Sequence, residues 1–136
     1  MNWAVPVVAI VPLALAGGCF GRGDEKPRED ARGATKEVVE LISALERATR
    51  GSDWRTVCGE LFTRGARRRA GGKDCARLLR AAAGDVRGAS IDVVKLRLRE
   101  DYAEVVVRTR ARGQPPLRDT VRVVREGGRY RIESLR

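Results

Sequence analysis

The stretch that decides the fold is Tyr102-Ala103-Glu104-Val105-Val106-Val107-Arg108-Thr109-Arg110-Ala111-Arg112. Its small and apolar residues recur at every second position and share one face: Ala103, Val105, Val107, Thr109 and Ala111. After Tyr102, charged residues hold the other positions, with Val106 as the exception. Successive side chains of a β-strand point to opposite sides of a sheet, so this alternation predicts a strand with one buried face.

The same two-residue period continues on both sides of this stretch and predicts a small sheet. Strands are predicted over 90–99, 102–112, 117–126 and 129–135. The short links between them predict an antiparallel meander, and Gly127-Gly128 suits a two-residue hairpin turn because glycine tolerates positive φ. The adjacent Val93 and Val94 interrupt the alternation of the first strand. They predict a β-bulge, which would curve the sheet.

Before Gly88 the apolar residues recur every three to four positions, which predicts three amphipathic helices. The helices are predicted over 35–49, from the Asp53 cap to about 62, and over 75–83. The Arg-rich segment after residue 62, with Gly71-Gly72, is expected to end the second helix. The chain is therefore expected to be an α+β domain, with three N-terminal helices packed on one face of a curved four-stranded antiparallel meander.

The N-terminus is apolar and uncharged from Trp3 to Ala16, which fits a signal peptide and is short for a membrane-spanning helix. At the end of this run lies Leu15-Ala16-Gly17-Gly18-Cys19, which resembles a bacterial lipobox. The resemblance implies that residues 1–18 are a lipoprotein signal peptide and that Cys19 is acylated. Two other interpretations stay open: an uncleaved anchor or ordinary secretory signal with Cys19 incidental, and a cytosolic protein.

Residues 19–33 carry many charges with Gly and Pro, so they are expected to form a flexible tether behind the lipidated Cys19. Residues 34–136 are then the folded domain. The predicted location is the cell membrane, on its extracytoplasmic face, with the membrane as a partner through the lipid anchor. Two or more acyl chains hold a protein firmly on a bilayer, whereas one binds only marginally.

The chain has three cysteines, so lipidation of Cys19 leaves Cys58 and Cys75. Both fall on the apolar faces of adjacent predicted helices, and in an exported protein this pattern predicts a disulfide. Two buried thiols are the alternative. The sequence has no histidine and no further soft ligands near these cysteines, so neither a metal site nor a cofactor is predicted.

The net charge of +10 suggests an anionic partner, yet nucleic acid is not the predicted one. The basic residues are nearly all arginines, a bias that the arginine codons of a GC-rich genome produce whatever the function, and they are interleaved with Asp and Glu throughout the chain. An exported protein also rarely meets nucleic acid. The most concentrated patch is Arg64, Arg67, Arg68 and Arg69. It is either a solvated loop or a contact for anionic lipid headgroups or cell-wall polymers.

No catalytic residue is predicted, because a chain without histidine lacks the most common general base. The strand carboxylates are Asp92, Glu104 and Asp119. Asp92 and Glu104 are expected to be exposed, and Asp119 is expected to pair with Arg110 or Arg122.

Three passages resemble a known family: Ser52-Asp53-Trp54, then residues 100–107 (EDYAEVVV), then residues 125–132 (REGGRYRI). They are similar to small nuclear transport factor 2-like domains, also called cystatin-like or SnoaL-like. The likeness covers residues 35–135 and is greatest to actinobacterial lipoproteins of this fold, which often carry a cysteine pair on the second and third helices. It implies a cone-like cavity between the curved sheet and the helices.

Four aromatic side chains are candidates to line such a cavity, or else to pack in the core: Trp54, Phe62, Tyr102 and Tyr130. Members of the family include isomerases, dehydratases and non-catalytic binding domains, so fold does not decide function. The predicted function is a lipid-anchored, non-enzymatic domain that binds a small apolar ligand, a peptide or an envelope protein. The alternatives are a cone-fold isomerase or hydrolase-like enzyme using a cavity carboxylate, and a basic module on anionic membrane or wall polymers.

Overall fold

In the computed structural model, which describes residues 26–136, a layer of helices packs on one face of a four-stranded antiparallel sheet. The helical elements are α1 (Lys26–Arg50), α2 (Trp54–Thr56), a π-helical turn (Val57–Leu61), α3 (Arg64–Arg69), a 3₁₀ turn (Gly72–Asp74) and α4 (Cys75–Ala82). The strands are β1 (Ser90–Leu98), β2 (Tyr102–Ala111), β3 (Gln114–Glu126) and β4 (Arg129–Leu135). The predicted α+β class is confirmed.

The sheet is the predicted meander, with spatial order β1-β2-β3-β4. The register of β1 against β2 shifts between Val93 and Lys95, so the predicted bulge is present and the sheet is curved. Gly127 and Gly128 both have positive φ, at 62° and 78°, as a two-residue hairpin turn requires. Strand β3 begins at Gln114 instead of the predicted residue 117. The register shifts after Thr109, and Gln114 still pairs with Ala111 beyond this shift.

Helix α1 begins well before the residue at which the apolar period predicts it. It covers residues 26–33, so the second half of the predicted tether is helical and that part of the prediction is wrong. The segment is rich in Lys, Arg, Glu and Ala, which are good helix formers, and Gly33 costs only about 1 kcal/mol in a helix. The predicted signal peptide and Cys19 lie outside the described residues.

The second predicted helix is shorter and less regular than its periodicity suggests. The Asp53 side chain caps α2, and the chain then passes into the π-helical turn, which closes with Phe62 N–H donating to the Val57 carbonyl at 2.9 Å. Thr63 N–H donates to the Ile132 carbonyl at 2.9 Å. Pairing with β4 therefore ends the helix, which is a tertiary interaction that no local pattern encodes.

The Arg-rich segment, predicted to be a break or a solvated loop, is helix α3. Thr63 caps it, because its Oγ1 accepts a hydrogen bond from Ala66 N–H at 3.0 Å. Ala66 is buried and fixes α3 against the core. Arginine has high helix propensity, so one cap and one buried alanine are sufficient to order the turn.

A disulfide joins Cys58, in the π-helical turn, to Cys75, the first residue of α4, as predicted. Their Cα atoms are 6.1 Å apart. Both residues are buried. The bond therefore ties α4 to the rest of the helical layer from inside the core.

The middle of the space between sheet and helices is packed with side chains. Fully buried residues meet there from both layers: Val38, Ile42, Val57, Val105, Val107, Val121, Val123 and Ile132. The opposite face of the sheet is open to solvent. Of the helices within residues 26–136, none is both long and apolar enough to cross a membrane.

Candidate functional site

A cleft of about 510 Å³ lies where α1, the π-helical turn and the β3–β4 hairpin meet. Its lining combines apolar, acidic, basic and aromatic side chains: Glu37, Glu40, Leu41, Ala44, Arg47, Glu60, Leu61, Gly128, Arg129 and Tyr130. Binding sites are typically concave, with an apolar floor and a few polar groups that orient the ligand. This cleft has that composition, and we take it as the candidate site.

The floor of the cleft is the outer edge of the hydrophobic core. Leu41 and Leu61 are buried, and the half-buried Ala44 packs against them. Tyr130 is half-buried and presents its ring beside this floor. An aromatic ring next to aliphatic carbon supplies a large apolar contact, and its hydroxyl supplies a polar one.

Polar links hold the two walls of the cleft together. Arg125 lies over the Tyr130 ring, 4.3 Å from its centroid, and its Nη1 is 3.5 Å from Glu37 Oε2 on α1. Arg131 Nη1 donates to the Glu60 carbonyl at 2.7 Å and to the Gly59 carbonyl at 3.3 Å. Each exposed contact is worth little alone, about 1 kcal/mol or less. Together they link the hairpin to α1 and to the π-helical turn.

The four aromatic residues, candidates either for pocket lining or for core packing, are dispersed over the molecule and do not share one pocket. Trp54 is buried in the core. Phe62 is at the core edge near α3, and Tyr102 is on the open face, with the Arg122 guanidinium 3.9 Å from its ring centroid. Tyr130 lines the cleft. Tyr102 is two residues before Glu104 on β2, so the alternation of the strand already predicts that Tyr102 lies on the open face.

The arginines of the predicted basic patch, Arg64, Arg67, Arg68 and Arg69, are all exposed on α3. Two contacts fix this helix against the sheet. Arg64 N–H donates to Glu126 Oε1 at 3.1 Å, and the Arg69 guanidinium donates to the Glu133 carbonyl. The patch therefore lies on the β4 side of the sheet and is not part of the cleft.

The strand carboxylates are divided between the two faces of the sheet. Asp92 is exposed, as predicted, with Oδ2 at 3.1 Å from Arg110 Nη2. Glu104 is on the same open face but half-buried. Asp119 is opposite the buried Val107 in the register and so lies on the helix-covered face.

The predicted pairing of Asp119 with Arg110 or Arg122 is wrong, because both arginines lie on the other face. Arg110 pairs with Asp92, and Arg122 Nε is 2.9 Å from Glu133 Oε2. Among residues 26–136 no three Cys, Asp or Glu side chains converge as metal ligands.

Sequence reasoning did not identify most of the cleft. Glu37, Glu60 and Arg129 have no distinguishing local pattern, since each is an ordinary charged residue on a solvated surface. Only the docking of the hairpin against α1 brings them together.

No protein-family model matches this chain, and no curated protein sequence matches it. Among solved structures, the chain is similar to a de novo designed protein with a curved β-sheet, at 23% sequence identity and a TM-score of 0.40. The match covers 48% of this chain and 62% of the designed one, so it spans less than two thirds of that protein's length.

Proposed function

We propose that this protein is a lipid-anchored, extracytoplasmic domain of non-enzymatic binding type. The observation that carries the proposal is the Cys58–Cys75 disulfide. Structural disulfides persist in oxidising compartments and are rare in the cytosol. The bond also uses two of the three cysteines and leaves Cys19, which follows the apolar leader, as the third.

The proposed binding site is the cleft between α1 and the β3–β4 hairpin. Its floor of Leu41 and Leu61 suits an apolar side chain, while carboxylates and guanidinium groups on its rim suit the charges and amides of a peptide. A short peptide segment, free or within an envelope protein, matches this mixture better than a wholly apolar ligand does. Tyr130 is the proposed aromatic contact.

The nuclear transport factor 2-like family remains our proposal for the origin of the fold. The order of a helical layer followed by a four-stranded meander supports it, as does the closing hairpin with Gly127 and Gly128. Members of that family bind in a cone between sheet and helices. Because buried side chains pack the middle of that space here, we place binding at the rim instead.

The intact mass tests the anchor and the disulfide in one experiment. The full-length chain is expressed in a bacterial host that acylates lipoproteins and is measured before and after reduction. We expect loss of residues 1–18, addition of acyl chains, and a non-reduced mass lighter by the two hydrogens of one disulfide. A full-length, unmodified and fully reduced protein would contradict the proposal, and a Cys19→Ser variant is the control for acylation.

The enzymatic alternative depends on Asp119, since Asp92 and Glu104 are on the open face. A cavity carboxylate has to reach a substrate to act as a general base. Asp119 is half-buried on the helix-covered face but does not line the candidate cleft. None of the three strand carboxylates therefore lines the cleft, whose own carboxylates are Glu37, Glu40 and Glu60.

The alternative of a basic module on an anionic membrane rests on the exposure of the α3 arginines. Each arginine near an anionic bilayer contributes about 1 kcal/mol. Co-sedimentation of the Cys19→Ser chain with phosphatidylglycerol vesicles tests it. Binding that disappears in Arg67→Ser/Arg68→Ser and at high salt would support this alternative.

A further inference from the structure

Four arginines cluster around the β2–β3 hairpin, at the end of the sheet far from the candidate cleft. Arg108 and Arg110 are on β2, Arg112 is in the turn and Arg118 is on β3; we call them the hairpin arginines. All four are exposed. Arg108, Arg110 and Arg118 share the open face, because Arg108 is directly opposite Arg118 and Arg110 is two residues along β2.

The cluster has little compensating negative charge. Asp92 is an ion-pair partner of Arg110, at 3.1 Å. No ion pair within residues 26–136 includes Arg108, Arg112 or Arg118. Four cations therefore face one neighbouring carboxylate, and the local excess of positive charge is independent of the α3 patch.

The fold does not benefit from placing Arg108 opposite Arg118. Like charges directly opposite each other in an antiparallel pair destabilise the pair. Arg108 and Arg118 are such a pair, in a position where threonine would suit the exposed face of a strand. A stability cost at solvent-exposed positions is understandable if the charges act on a ligand.

We propose that the hairpin arginines form a binding surface for a linear, phosphate-bearing polyanion. Arginines two apart on a strand are about 7 Å apart, and those directly opposite are about 5 Å apart. The backbone thus places arginines at short, regular intervals along and across the hairpin. Guanidinium binds phosphate oxygens through two parallel hydrogen bonds, which gives the interaction geometry as well as charge.

A polymer fits this surface better than a bilayer, and this choice rests on the proposed lipid anchor. Glu37, in the N-terminal half of α1, pairs with Arg125 at the β3–β4 end of the sheet. The C-terminal end of α1 lies at the other end, where Arg50 Nε donates to the Ala89 carbonyl at 2.7 Å. The anchor precedes the N-terminal end of α1, so the hairpin arginines lie at the end of the sheet farther from it.

The hairpin lacks the features expected of a nucleic-acid site. Proteins that bind single strands stack bases on aromatic side chains interleaved with the cations. Residues 108–118 contain no Phe, Trp or Tyr. Tyr102 shares the open face but is at the other end of β2. A polymer without bases, in which phosphates alternate with simple alcohols, needs only the guanidinium groups.

Binding of fluorescently labelled inorganic polyphosphate tests the proposal. The full-length chain with Cys19→Ser, purified in non-ionic detergent, is compared with Arg108→Thr/Arg118→Thr. The matched control is Arg55→Gln/Arg80→Gln, which removes the same charge from exposed helical positions. We expect affinity to fall on the order of tenfold in the hairpin variant and the dependence on salt to flatten, with far less change in the control.

Thermal unfolding of the same proteins separates a lost contact from a lost fold. We expect the hairpin variant to be at least as stable as the parent, because it removes a like-charge pair. Equal losses of polyphosphate affinity in both double variants would overturn the proposal, since net charge alone would then explain binding. If the hairpin variant loses binding to phosphatidylglycerol vesicles and its polyphosphate binding is unchanged, the proposal is overturned in favour of a bilayer. Neither result depends on whether the natural protein is acylated.

Discussion

At the scale of single residues, Asp53 shows how one side chain starts an element. Its carboxylate accepts a hydrogen bond from Thr56 Oγ1 at 2.7 Å and another from Thr56 N–H at 3.2 Å. These two bonds, with the nearby Arg55 charge, lower the pKa of Asp53 below its ordinary value of 3.8. The folded protein therefore stabilises the charged form of Asp53 relative to the unfolded chain.

Replacing Asp53 should destabilise the protein in a pH-dependent way. A lowered pKa in the folded state gives stability that is fully present above the ordinary pKa of aspartate and is lost as pH falls through the lowered one. We expect Asp53→Ala to unfold at a lower denaturant concentration than the parent protein at neutral pH. The difference between the two midpoints should close in strong acid. Asp53→Asn, which keeps an acceptor oxygen, should show a smaller difference from the parent at neutral pH, with the same pH dependence, because that dependence comes from Asp53 of the parent. A gap that stays constant down to strong acid would contradict this account.

At the scale of elements, the β3–β4 hairpin depends on the backbone freedom of its two glycines. Gly128 has a φ of 78°, in the left-handed region that costs other residues about 1–2 kcal/mol. We expect Gly128→Val to lower the free energy of unfolding by about 1–2 kcal/mol and Gly128→Asn to lower it less. Urea denaturation measures both. Gly59→Ala, at a position with open space for a Cβ, is the control and should change little.

The disulfide is the covalent link between the π-helical turn and α4. It closes a loop with a sequence separation of 17 residues, for which the chain-entropy model gives about 3 kcal/mol. We expect reductant to lower the free energy of unfolding by about this amount and so to lower the denaturation midpoint. The Cys58→Ala/Cys75→Ala variant should unfold at one midpoint with or without reductant. Equal midpoints for the parent protein in both conditions would show that the bond does not stabilise the fold.

At the scale of the whole molecule, stability comes from one packed layer between sheet and helices. Ile42 is 1% exposed and joins α1 to this layer. Truncating a buried isoleucine to alanine typically costs about 2–5 kcal/mol, a large part of the roughly 5–15 kcal/mol that stabilises a domain. We expect Ile42→Ala to fall in this range by chemical denaturation. Val94→Ala, at an exposed position of the β1 bulge, should cost less than about 0.5 kcal/mol.

Charge is also distributed over the whole molecule. The cleft and α3 are near the β3–β4 hairpin, while the hairpin arginines are at the opposite end of β3. If the proposed anchor holds the N-terminal end of α1 at the membrane, the first two surfaces face the bilayer side and the third faces outward. The binding experiments on the two arginine sets therefore test independent surfaces.

The sequence by itself determined the features that depend on local order. Alternation in residues 102–112 determined which side of β2 is buried, and Gly127-Gly128 determined the hairpin, because each depends on neighbours within a few residues. The Cys58–Cys75 pairing also followed, since few cysteines leave few combinations.

The tertiary structure alone decided what depends on docking. The docking of α1 against the β3–β4 hairpin brings Glu37 and Glu60 to Tyr130 and forms the cleft. Pairing of Thr63 with Ile132 ends one helix and allows α3 to begin. The sheet register places Asp119 and its expected partners on opposite faces. Each of these features depends on contacts between residues far apart in the chain. The free energy of such contacts is not encoded in any local pattern of the sequence.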